Sequence, residues 1–123
     1  MKRLFISVVV GLLLFTSCQA TTPSITEVEK PSKKLAETID ESVTLQLITN
    51  GPNKAYIVFQ TENDVNADIL GEDNTVSIHL NKINTENDDV QQHIYYIKKP
   101  SEYETIQVFV DGEETYFNQA TSL

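Results

Sequence analysis

Between residues 42 and 118, apolar and polar side chains alternate in short runs separated by Asn, Asp, Gly and Pro. In one run, Val76, Ile78 and Leu80 alternate with polar residues, and the run at residues 55–59 is apolar on both faces. A repeat of two matches a β-strand, whose successive side chains point to opposite faces of the sheet, and not the 3.6-residue repeat of a helix. The region therefore predicts six or seven strands and no helix.

So many short strands in one small domain favour two packed sheets. We expect an all-β fold, a small antiparallel β-sandwich of immunoglobulin-like architecture, with a small β-barrel as the alternative. The clearest hairpin joins the run at residues 106–110 to Thr115 and Phe117 through residues 111–113, with either Asp111-Gly112 or Gly112-Glu113 as the two turn residues. Gly at that turn supplies the positive φ that a tight hairpin requires.

The N-terminus has a different pattern. Lys2 and Arg3 precede a charge-free apolar run over residues 4–15, and a small polar pair follows at residues 16–17. These are the three parts of a secretory signal. The run is shorter than the roughly 20 residues that a permanent membrane-spanning helix needs. Residues 1–17 are therefore predicted to be a removable export signal.

The protein has a single cysteine, Cys18, which directly follows this signal. Residues 15–18 read Phe-Thr-Ser-Cys, which resembles the lipobox of bacterial lipoproteins, with Phe15 where the family usually has Leu. The resemblance covers residues 1–18 only. It implies cleavage between Ser17 and Cys18, a diacylglyceryl thioether on the Cys18 thiol, and a further acyl group such as palmitate on its amine.

The same resemblance implies that the protein is held in the cell membrane by lipid on Cys18, on the extracytoplasmic face. Two acyl chains bury enough methylene groups, at about 0.8 kcal/mol each, to anchor a protein stably. The alternative is an ordinary secretory cleavage after Ala20, in an A-x-A-like site.

The segment behind the cysteine is rich in Thr, Ser, Pro, Glu and Lys and has few large apolar residues. Such a segment cannot bury enough surface to fold alone. We therefore expect a lipidated cysteine and flexible tether over residues 18–41, a β-sandwich domain over residues 42–118, and a short tail over residues 119–123.

The chain is acidic, with 9 Lys and Arg against 18 Asp and Glu and a formal charge of −9. Removal of Lys2 and Arg3 with the signal would leave seven lysines against eighteen carboxylates, a formal charge of −11. Such a surface repels phosphate backbones and anionic headgroups, so the composition argues against nucleic acid as a partner. It attracts cations and basic proteins.

The densest acidic segment is residues 62–74. Three of its oxygen-bearing residues lie two positions apart, as at the start of a calcium loop, but Ile69 and Thr75 stand where an EF-hand needs Gly and Glu. A solvated inter-strand loop is the default interpretation, and an irregular Ca²⁺ site on that loop is the alternative. The candidate ligands are Asp64, Asn66, Asp68, Glu72 and Asp73.

Catalytic motifs are missing from the sequence: it has no Gly-x-Ser-x-Gly elbow, P-loop or cysteine pair, and no cofactor is predicted. Most aromatic residues are expected to pack within or across strands. Tyr95, Phe109 and Tyr116 are the candidates for a contact surface, since such rings bury area while the Tyr hydroxyl stays wet.

These features predict a membrane-anchored, non-catalytic binding or accessory module whose partner is an envelope protein. One alternative is an acidic inhibitor or immunity-type protein for a basic envelope hydrolase. Another is a cation-binding module.

Overall fold

A computed structural model of the chain describes residues 22–83 and 88–123. The predicted signal and Cys18 lie outside the described residues. Within them the chain forms nine strands and one helix. Their bounds are β1 Ser24–Glu27, α1 Lys33–Thr38, β2 Leu45–Thr49, β3 Lys54–Thr61, β4 Asp64–Glu72, β5 Thr75–Ile83, β6 Gln91–Lys98, β7 Thr105–Val110, β8 Glu113–Thr115 and β9 Gln119–Ser122.

The strands form two sheets, one of five strands in the order β1-β6-β3-β2-β9 and one of four in the order β4-β5-β7-β8. The predicted all-β sandwich is confirmed, and the described strands close no barrel. Two pairs, β2–β9 and β5–β7, are parallel rather than antiparallel. The β5–β7 pair is parallel because the chain visits the other sheet as β6 in between, and parallel neighbours need such a crossover.

The main core lies between the sheets and is built from alternate residues of the strands, as the period of two predicts. Ile57, Ile78, Leu80 and Ile97 are fully buried there. The β7–β8 hairpin is also confirmed: Val110 pairs with Glu113, which leaves two turn residues, both with positive φ.

A second, smaller core lies on the outer face of the five-stranded sheet, where α1 packs. Leu35 of α1 is 1% exposed and contacts a cluster that includes Ile48, Val58 and Ile94. The helix begins at a cap in which the Ser32 Oγ accepts the Leu35 N–H at 3.2 Å. The segment has few apolar residues, but they are enough to cover the apolar strip on the outer face of the five-stranded sheet.

The folded domain is therefore longer at both ends than the predicted residues 42–118. Residues 24–39, assigned to the tether, form β1 and α1, and β1 pairs with β6. The predicted tail forms β9, which pairs with β2. Asn118 holds that junction, because its N–H donates to the Leu45 carbonyl and its Oδ1 accepts the Leu45 N–H.

Candidate functional site

The predicted cation ligands lie on an edge strand and its turn, not on a loop. Residues 64–72 form β4, along which exposed and half-buried residues alternate, and Asp73 follows in the turn with a φ of 56°. The loop prediction was wrong. The residues of this strand that face the core occupy every second position and are only partly buried, so the acidic residues between them resemble a loop. The candidates on its exposed side are Asp64, Asn66, Asp68 and Glu72.

This strand spreads the candidate oxygens along a line instead of around a point. Residues two positions apart on a strand are about 6.6 Å apart, whereas Ca²⁺ takes six to eight oxygens at about 2.3–2.6 Å. The Asp68 Oδ1 also accepts the Ile69 N–H at 2.9 Å. Over residues 22–83 and 88–123, no three His, Cys, Asp or Glu side chains are grouped so that they could hold a metal ion.

Tyr95 lies in the core and not on a contact surface, which corrects its assignment from sequence. Strand β6 has neighbours on both sides, and Tyr95 is only 3% exposed. Its hydroxyl has no hydrogen-bond partner among the described residues. Burial, and then the negative charge of its cross-strand neighbour Glu27, raise the pKa of Tyr95 to about 12.

Phe109 and Tyr116, the other two contact candidates, lie in different settings. The Phe109 ring stacks on His79 across β5 and β7, with centroids 4.7 Å apart and planes 7° from parallel. Tyr116, just after β8, is 81% exposed. Sequence reasoning missed the His79–Phe109 stack because thirty residues and a crossover separate its two members.

The outer face of the four-stranded sheet presents a row of polar side chains around this stack. Asp68, His79, Phe109 and Glu114 are successive cross-strand partners from β4 to β8. We call this surface the acidic face; its carboxylates are those of Asp64, Asp68, Glu72 and Glu114. Among the described elements, the single helix packs on the other sheet, so the acidic face is not covered by it.

The lysines are concentrated on the opposite side of the molecule. Lys82 is the only lysine in the four-stranded sheet, and its Nζ lies 3.5 Å from Asp111 Oδ2. The other described lysines belong to the five-stranded sheet or to segments next to it. They are Lys30, Lys33, Lys34, Lys54, Lys98 and Lys99.

Residues of β1, α1, β3 and β6 and of the segments next to them line an open cavity of about 330 Å³, which we call the lysine–tyrosine groove. Tyr56 and Tyr96 form part of its wall, with ring centroids 5.4 Å apart and planes tilted by 43°. The remaining lining residues are Thr26, Val28, Lys30, Ser32, Leu35, Asn50 and Lys54.

No protein-family model, curated protein or solved structure matches this chain. Over the described ranges, no helix has the length and apolar character needed to cross a membrane.

Proposed function

We propose that the chain is a membrane-anchored bacterial lipoprotein whose β-sandwich is a non-catalytic binding module on the extracytoplasmic face. The observation that carries the binding role is the acidic face, a sheet surface left uncovered by α1 and carrying carboxylates on either side of the His79–Phe109 stack. Stacked rings flanked by charges combine contact area with orientation, as protein-binding surfaces do.

The start of the folded domain supports a position close to the membrane. Strand β1 begins at Ser24, six residues after Cys18. Six residues span about 20 Å at full extension. A lipid on Cys18 would therefore hold the sandwich at the bilayer surface and not at the end of a long tether.

The anchor is tested by a Cys18→Ala variant in the native host, with Ser17→Ala as the matched control because it keeps a small residue before the cysteine. We expect the Cys18→Ala protein to leave the membrane fraction and Ser17→Ala to stay in it. Intact cells treated with protease then report the side of the membrane. A Cys18→Ala protein that remains in the membrane fraction would show that lipid on this residue is not the anchor.

A second candidate function is an acidic inhibitor or immunity-type protein for a basic envelope hydrolase. The separation of charge favours it, because none of the described lysines lies on the acidic face. Lys82 is in the same sheet, but by strand alternation its side chain is on the core side with Val76, Ile78 and Leu80, and it pairs with Asp111. Complementary charge mainly raises association rates and is screened by salt: the Debye length falls from about 30 Å at 0.01 M to about 8 Å at 0.15 M.

This candidate is tested with the host's basic envelope hydrolases at those two salt concentrations. An Asp68→Asn/Glu114→Gln double variant should slow association, whereas Glu37→Gln/Glu41→Gln, which removes two charges from the α1 side, should not. Association that is equally fast at both salt concentrations would argue against an acidic docking face.

A further inference from the structure

The lysine–tyrosine groove carries positive charge on an otherwise acidic molecule. Lys30 and Lys54 line the groove. Lys98 is not part of the lining, but it is the direct cross-strand partner of Lys54 on the outer face of the five-stranded sheet, next to the groove. Like charges directly opposite each other destabilise a sheet. Among the described residues, none of these three lysines has a carboxylate within ion-pair distance. An anion placed between them would relieve this repulsion.

The rest of the groove wall indicates what kind of anion fits. Tyr56 and Tyr96 are half-buried, so their rings offer an apolar surface, while Thr26 and Asn50 bring a neutral hydroxyl and amide to the wall. The Lys ammonium is a compact point charge that binds phosphate oxygens in many proteins. A volume of about 330 Å³ lies at the lower end of the range for small-ligand sites.

We propose that the lysine–tyrosine groove binds a phosphate ester, with the phosphate held by Lys30, Lys54 and Lys98 and the organic part lying on Tyr56 and Tyr96. The ligand chemistry is a phosphate mono- or diester carrying a small polyol, and either a free sugar or glycerol phosphate or a lipid headgroup would supply it. The proposal does not depend on the lipid anchor. The net charge of the chain predicts that the molecule as a whole repels phosphate. That prediction does not hold for this side of the molecule, where the lysines lie.

The test uses residues 19–123, which contain every described residue and carry no lipid, followed by amide NMR during titration. The probes are glycerol 1-phosphate, inorganic phosphate, and vesicles with or without phosphatidylglycerol, each against sodium chloride at equal ionic strength. A Lys54→Gln/Lys98→Gln variant removes the facing charges, and Lys82→Gln removes a lysine from the other sheet as the control. All three positions are exposed, so these variants are expected to fold.

We expect saturable shifts for the amides of residues 54–56 and 96–98, and roughly three- to tenfold weaker binding in the double variant, from two exposed charge contacts. Lys82→Gln should bind as the unmodified chain does. Saturation by glycerol phosphate identifies a soluble ester as the source, and saturation by anionic vesicles alone identifies a headgroup. Shifts spread over all lysines, equal binding by the double variant, or no saturable shift with any probe would overturn the proposal.

Discussion

The two outer faces of the sandwich differ in cover and in charge. The five-stranded sheet is partly covered by α1, which packs on it over a small apolar core, and it carries Lys54 and Lys98 beside a tyrosine-lined groove. The outer face of the four-stranded sheet is not covered by α1 and carries carboxylates. The formal net charge of −9 is a sum over the whole chain, so it does not predict how charge is divided between the two faces. The face under α1 is stabilised by burial of apolar side chains, whereas the acidic face is stabilised by pairing between strands. Substitutions on the two faces should therefore change the free energy of unfolding by different amounts.

The largest difference is expected between two leucines, one on each face. Leu35→Ala should lower the free energy of unfolding by about 2–5 kcal/mol, because Leu35 is 1% exposed and its loss leaves a cavity under α1. Leu70→Ala, on the other face at 57% exposed, should change it by less than about 0.5 kcal/mol. Chemical denaturation measures both values. Equal losses would show that the two faces do not differ in this way.

The core between the faces is tested at alkaline pH. Unfolded Tyr ionises near 10.0, whereas the pKa of folded Tyr95 is raised to about 12, so the unfolded chain loses this proton first. The contribution to stability is complete below pH 10.0 and is lost as the pH rises to about 12. Denaturation at several pH values should show this fall, and Tyr95→Phe should reduce it. Tyr116→Phe, at an exposed position, is the control and should leave the pH dependence unchanged.

Helix α1 can be destabilised without changing its apolar contacts with the sheet. Ser32→Ala removes the Oγ that accepts the Leu35 N–H and should cost about 1 kcal/mol, the usual effect of losing a helix cap. Ser77→Ala makes the same chemical change on the uncovered face and should stay within about 0.5 kcal/mol. If Ser77→Ala costs as much as Ser32→Ala, the cap does not hold α1 in place.

The smallest effect is expected on the acidic face. His79→Ala removes the ring that stacks on Phe109 and should cost about 0.2–1 kcal/mol, the range for cross-strand pairs. Asn81→Ala, an exposed position on the same strand, is the comparison and should cost less. No difference between them would mean that the stack contributes to the surface without stabilising the sheet.

The sequence predicted the parts of the fold in which periodicity reports burial directly. The alternation at Val76, Ile78 and Leu80 identified β5, and Gly112 identified the last hairpin. Strand β4 was missed because an edge strand exposes every second residue, so its acids resemble a loop. The folded structure of residues 24–39 was not predicted, because Leu35 and Ile39 are buried only by packing against a strip of the five-stranded sheet that is distant in sequence.

The candidate sites were harder to predict for a related reason. The His79–Phe109 stack and the Lys54–Lys98 pair each join residues from distant parts of the chain, and no local pattern links them. Tyr95 shows the opposite error, in which a residue type common at interfaces fills the core. Pairing across strands, and not composition, decides which side chains meet.

The parallel pairing of β9 with β2 sets an order on folding. Residues 46–49 receive their outer neighbour only when residues 119–122 reach them, and the paired residues Gln46 and Gln119 are far apart in the sequence. Pairings between such distant segments form slowly, because a long loop must close before any contact is gained. Because β9 follows every other described strand in the sequence, the five-stranded sheet is complete only after the segments that form those other strands have been synthesised.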